Sequence, residues 1–107
     1  MNKVYLIKTE IRPLVGSQLL KEHPNAEGAF VNVIVPAKNK IEAEKKAKNA
    51  LLEDDYETIK IEEAVDFAQI EMDDEDEAIV YKAMAWDAMI DGIIGYGAFH
   101  VWPDDTK

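Results

Sequence analysis

Ser17 is the only serine in the chain and His23 follows it closely, so a Ser-His nucleophile pair is the first chemistry to weigh. A nucleophilic serine hydroxyl is typically lifted above a sheet by a strained strand-to-helix turn. Gly16-Ser17-Gln18-Leu19 lacks the second glycine of that turn and does not follow a strand directly. The bland use of Ser after Gly, a turn residue or helix cap, is expected instead. Gly95-Tyr96-Gly97-Ala98-Phe99-His100 opens like a dinucleotide fingerprint. His100 stands where the third glycine belongs, however, and the segment follows a helical pattern instead of opening one. Its glycines are expected to let a strand bend or pack against a close neighbour.

The run Asp73-Asp74-Glu75-Asp76-Glu77 invites a calcium loop, but the sixth position from Asp74, where such a loop turns on Gly, is Ile79. A solvated helix start is expected there. His23 and His100 lie far apart and Cys is absent, which excludes thiolate metal sites, disulfides and thiol nucleophiles and leaves no zinc spacing. No catalytic residue, cofactor or metal site is therefore expected.

Contact surfaces are the stronger candidates. If the last strand is regular, Tyr96, Ala98, His100 and Trp102 share one face, and rigid aromatics could anchor a protein partner or fill a core. With Asp73, Asp74, Glu75, Asp76 and Glu77, the residues Tyr96, His100 and Trp102 make the expected partner-binding set. Around Trp86 and Asp87, the residues Ile79, Ala83, Trp86 and Ile90 recur at helical spacing and are expected to pack into the core. Tyr81, Ala85, Ala88 and Met89 would then face a partner or the segment 63–72.

These side chains must be held by a small set of elements. Val4 to Ile11 is rich in β-branched and aromatic residues and ends at Arg12-Pro13, which predicts a strand. From Pro13 to Glu27 a loop is expected, with one helical turn from Ser17 to His23. Ala29 to Val35 is nearly continuous in apolar residues between Gly28 and Pro36, and predicts a strand buried on both faces. Asn39 with Glu42 forms a capping-box-like pair, and Ala43, Ala47, Ala50 and Leu51 give a narrow apolar stripe. Together they predict a helix over about 40–53. Alternation places Ile59 and Ile61 on one face of a strand over 56–62, completing a βαβ unit with parallel strands. Residues 63–72 fit neither period. A second helix is expected from the acidic run to Gly92, and Ile93 to Trp102 reads as the last strand.

The order ββαβαβ predicts a single α+β domain over 1–107, with residues 103–107 fraying. The expected architecture is a two-layer sandwich, ferredoxin-like in layout: a mixed four-stranded sheet with two helices on one face. Several strands carry apolar residues at both parities, so the other sheet face should need a cover: a symmetry mate, a partner or a ligand. At 107 residues and 48% hydrophobic, the chain is long and apolar enough for a real core. No eighteen-residue apolar run and no signal-peptide core is present, so a cytoplasmic location and no membrane contact are expected.

Charge decides between partners. The formal net charge is −10, but residues 1–50 carry nine basic and five acidic groups, net +4. Residues 51–107 carry three basic and seventeen acidic groups, net −14. That field opposes nucleic acid and favours a basic protein. The expectation is a non-catalytic acidic binding module, of the inhibitor or immunity type that covers a basic partner. The alternative is a small homodimeric αβ protein, an enzyme among the options, with a ligand pocket at the open sheet face built from Tyr96, His100 and Asp87.

Overall fold

The computed structural model describes residues 2–103; of the tail expected to fray, residues 104–107 lie outside the described residues. β1 (Lys3–Pro13) pairs antiparallel with β2 (Gly28–Ala37) over nine positions, from Lys3↔Ala37 to Ile11↔Ala29. β3 (Tyr56–Asp66) lies antiparallel on the other side of β1. β4 (Gly95–Tyr96) and β5 (His100–Trp102) both lie antiparallel on the free side of β2. The chain is thus α+β, but the sheet has five strands and every pairing in it is antiparallel, where four strands in a mixed sheet were expected. β2 and β3 do run parallel to each other, as a βαβ unit requires, yet β1 is inserted between them.

The helices also depart from expectation. α2 (Lys40–Glu53) sets Ala43, Ala47 and Leu51 against Tyr5, Ile7, Ile11, Val33 and Val35, which share one side of the sheet. α3 (Glu75–Asp91) sets Tyr81, Ala85 and Ala88 against Val4, Leu6 and Ile34, whose opposite parity puts them on the other side. The helices therefore lie on opposite faces, making three layers. The apolar residues at both parities are explained within the chain: α3, with Phe67, Ile70 and Met72 of the segment once ambiguous, is the cover for the second face.

Local signals account for the element ends. Ser17 caps the short α1 (Gln18–Glu22), its hydroxyl accepting the Leu20 N–H at 3.4 Å. At α2, Asn39 Oδ1 accepts the Glu42 N–H at 2.9 Å, while Glu42 Oε1 accepts the Lys38 N–H at 3.2 Å. At α3, Asp74 Oδ1 accepts the N–H groups of Asp76 and Glu77, and Gly92 ends the helix in the left-handed region at φ 69°. β3 runs further than expected, to Asp66, and two register shifts against β1 break its alternation. Lys60 and Thr58 pair with consecutive residues of β1, so Ile59 bulges outward, half-exposed, while Ile61 packs on the α2 side. Among the described residues no helix is long and apolar enough to cross a membrane.

Candidate functional site

The position of α3 decides which part of the sheet stays open. Tyr81 is buried at its inner face, and its hydroxyl accepts a hydrogen bond from Asn32 Nδ2 on the central strand at 3.2 Å. A Cβ on Gly97 would collide with that same hydroxyl, so the glycine is where the link from β4 to β5 lets α3 come close. The small residues Ala85 and Ala88 complete the fit. α3 thereby covers the end of the sheet carrying Val4, Leu6 and Ile34. Beyond it the same face continues uncovered and polar, with Lys8, Glu10 and Arg12 on β1 and Phe30 and Asn32 on β2.

Two adjoining depressions cross the boundary between the covered and open halves. The first, of about 390 Å³, lies between the start of α3 and the sheet and is walled by Glu63, Glu71, Asp73 and Glu77. The second, of about 290 Å³, lies on the open sheet and is walled by Phe30, Glu62 and His100. Lys8 and Asn32 border both, joining them into one trough. Five carboxylates line it against Lys8 and His100. Lys8 is committed to Glu63 at 3.2 Å, so most of the negative charge has no cation among the trough's own walls. Phe30, 40% exposed, supplies an apolar floor.

The expected partner-binding residues divide across this geometry. Asp73 and Glu77 of the acidic run wall the first depression, whereas the Asp74 side chain serves as the cap of α3. Asp73 to Glu77 are all exposed. His100 reaches the second depression, and Trp102 lies further along the same face, with its ring against Gly28. The indole N–H of Trp102 is buried without a hydrogen-bond partner among the described residues. Tyr96 is on the other side of the sheet. It pairs with Val33, while His100 pairs with Phe30, so the register advances by one residue across 97–99 and the expected single aromatic row is split.

On that other side Tyr96, Phe99 and Tyr56 form a small aromatic cluster, with ring centroids 5.2 Å apart for Tyr56 and Phe99 and 6.0 Å for Tyr96 and Phe99. The Tyr96 hydroxyl donates to Asp54 Oδ2 at 2.7 Å, and burial, then that bond and the Asp54 charge, push its pKa well above the ordinary tyrosine value. Burial likewise raises that of Tyr56, whose hydroxyl accepts the Leu19 N–H. This is a depression of about 460 Å³ that neither His100 nor Asp87 enters. Tyr96, His100 and Asp87 therefore do not converge on one pocket.

Lys8, Asn32, Glu62, Glu63, Glu71 and Phe30 belong to the trough and were not singled out by sequence. Asn32 carried a signal, being a lone amide in the apolar run Phe30-Val31-Asn32-Val33-Ile34. The glutamates carried none, since in a segment so rich in acids nothing local marks which ones face one another. Among the described residues no group of three or more His, Asp or Glu side chains is arranged to hold a metal ion. No protein family, curated protein or solved structure matches the chain.

Proposed function

We propose that the chain is a non-catalytic binding module whose trough takes a basic segment of a partner protein, in the manner of an inhibitor that covers a cationic surface. One observation carries this: five carboxylates line a trough that runs from the start of α3 onto the uncovered half of the sheet face, where Lys8 is the only lysine or arginine among the walls. Lysine or arginine side chains of the partner would lie beside Glu71, Asp73 and Glu77 in the first depression and beside Glu62 in the second, the latter with its aliphatic stem over Phe30. The long-range field of the acidic second half would speed the encounter, and the trough would set the register.

The probe is a synthetic peptide of alternating arginine and apolar residues, titrated calorimetrically at low and at near-physiological salt. Binding that weakens with salt, and that falls by about tenfold or more when Glu62, Glu71, Asp73 and Glu77 are changed together to their amides, is the expected result. Equal affinity for the amide variant would remove the trough from the account. Absence of binding at low salt would overturn the proposal.

A further inference from the structure

α3 is apolar on two opposite sides, and the sheet uses only one of them. Tyr81, Ala85 and Ala88 face the sheet, while Ile79, Trp86 and Ile90 are 67%, 66% and 60% exposed. The outward residues Ile79, Ala83, Trp86 and Ile90 follow one another at spacings of four, three and four, the interval of a two-stranded coiled-coil seam. An apolar helix face of this size normally lies against protein, and this one is exposed.

We propose that this outer face pairs with the same face of a second copy of the chain, the two α3 helices parallel and the two-fold axis running along the seam. Ile79 and Trp86 then form one set of layers with their symmetry equivalents, and Ala83 and Ile90 the other. The small Ala83 layer gives room to the adjacent Trp86.

Area argues for this occupant, and the charges that flank the seam argue for its orientation. With Val80, Met89 and Ile93 beside the seam, the exposed large side chains offer at most on the order of 700 Å² per copy, below the ~800 Å² per partner that a standard interface buries and above the largest patch of most monomers. The only charged residues between Ala78 and Ile90 are Lys82 and Asp87, and they flank the seam on opposite sides. In a parallel pair those two flanks meet, and Lys82 of each copy comes beside the partner's Asp87, the interhelical position five residues on that pairs charges in coiled coils. The exposed acidic first turns, Glu75 to Glu77, come to the same end of the seam, a repulsion that salt screens. An antiparallel pair would instead bring the two Lys82 flanks together and the two Asp87 flanks together. The helices are already held by their sheets, so association orders no backbone. With the sheets on the far sides of the paired helices, the trough of each copy stays outside the seam, so the two surfaces are tested separately.

The natural absence of cysteine makes the test direct. Sedimentation of the full chain should show a dimer at about 100 µM that Trp86→Glu or Ile90→Glu weakens about 100-fold or more, with the melting temperature of the monomer unchanged because both sites are exposed. Under mild oxidation Ile79→Cys and Ile90→Cys should each link to themselves, since a parallel seam keeps every layer in register. Lys82→Glu and Asp87→Lys should each weaken the dimer, and the double variant should restore it. A monomer at that concentration, a dimer indifferent to Trp86→Glu and Ile90→Glu, self-linking at neither or only one of Ile79 and Ile90, or no rescue by the charge swap would each overturn the proposal.

Discussion

The hydroxyl of Tyr81 is held by the side-chain amide of Asn32 at 3.2 Å, across the contact between α3 and the central strand. It fills the space that a side chain on Gly97 would need, while the Gly97 N–H donates to the Asn32 carbonyl at 2.8 Å. Three elements therefore meet at one hydroxyl. Removing it with Tyr81→Phe leaves the amide of Asn32 short of a partner and is expected to cost about 1 kcal/mol. Gly97→Ala forces Tyr81 aside and is expected to cost more, about 1–3 kcal/mol, and less when made in the Tyr81→Phe chain. Urea unfolding of the two single variants and the double variant reads that coupling; simple additivity would mean that the hydroxyl and Gly97 do not share the space.

The start of α2 should report on acid. Glu42 has its pKa held below the ordinary glutamate value, chiefly by the Lys38 N–H and further by Lys46, whose Nζ stands 3.4 Å from Oε1. A depressed carboxylate stabilises the fold above its unfolded pKa and loses that contribution as pH falls through the folded one. Stability should therefore decline below about pH 4.5, less steeply in Glu42→Gln than in the parent. Asn39→Ala, which removes the other half of the cap, is expected to cost about 1 kcal/mol at neutral pH. Thermal melts between acid and neutral pH check both.

Tyr96 should report on alkali, with the opposite sign. Its raised pKa means that the folded chain keeps the phenolic proton after the unfolded chain has begun to lose it near pH 10.0. The stabilisation is complete below that value and is lost as pH rises further towards the folded pKa. The melting temperature should fall above pH 10, and Tyr96→Phe should flatten the fall while giving up the bond to Asp54. Tyrosinate absorbance, titrated in the folded chain, should show one fewer late-titrating group in that variant.

The features that were legible in the sequence are those whose cause is local. Asn39 and Glu42 mark the start of α2 because the cap is made within one turn, and Gly92 ends α3 because a left-handed residue is required there. The near-continuous apolar run at 29–35 belongs to a central strand, buried along its whole length on the α2 side but on the α3 side only at Ile34, with Phe30 exposed and Asn32 half-buried. What was hidden depends on contacts distant in sequence. Helical spacing finds two apolar faces on α3, and the one expected in the core, Ile79, Ala83, Trp86 and Ile90, is the one left exposed. The sheet takes the side with Tyr81, Ala85 and Ala88, because two alanines allow close approach and Tyr81 has Asn32 to bond. Trp86 and Ile90, the bulkier choice, are left outside. The same choice sends α3 to the face opposite α2. The bulge across 97–99 then separates Tyr96 from His100, a one-residue shift that alternation within the strand does not reveal.

The trough and the outer face of α3 should answer oppositely to salt. Basic peptides are drawn to the trough by unlike charge, so added salt screens an attraction and weakens their binding. Two copies of the chain each carry a formal net charge of −10, so salt screens a long-range repulsion between them. The seam itself is apolar, and Lys82 with the partner's Asp87 would lie at its edge at short range, where screening is weaker. Raising salt from low to physiological strength should therefore loosen peptide binding and tighten self-association in the same preparation. Calorimetric titration and sedimentation run side by side read the two responses. Loosening of both with salt would mean that self-association is also held by unlike charges, which would move the dimer contact from the α3 seam to the charged residues of the open sheet.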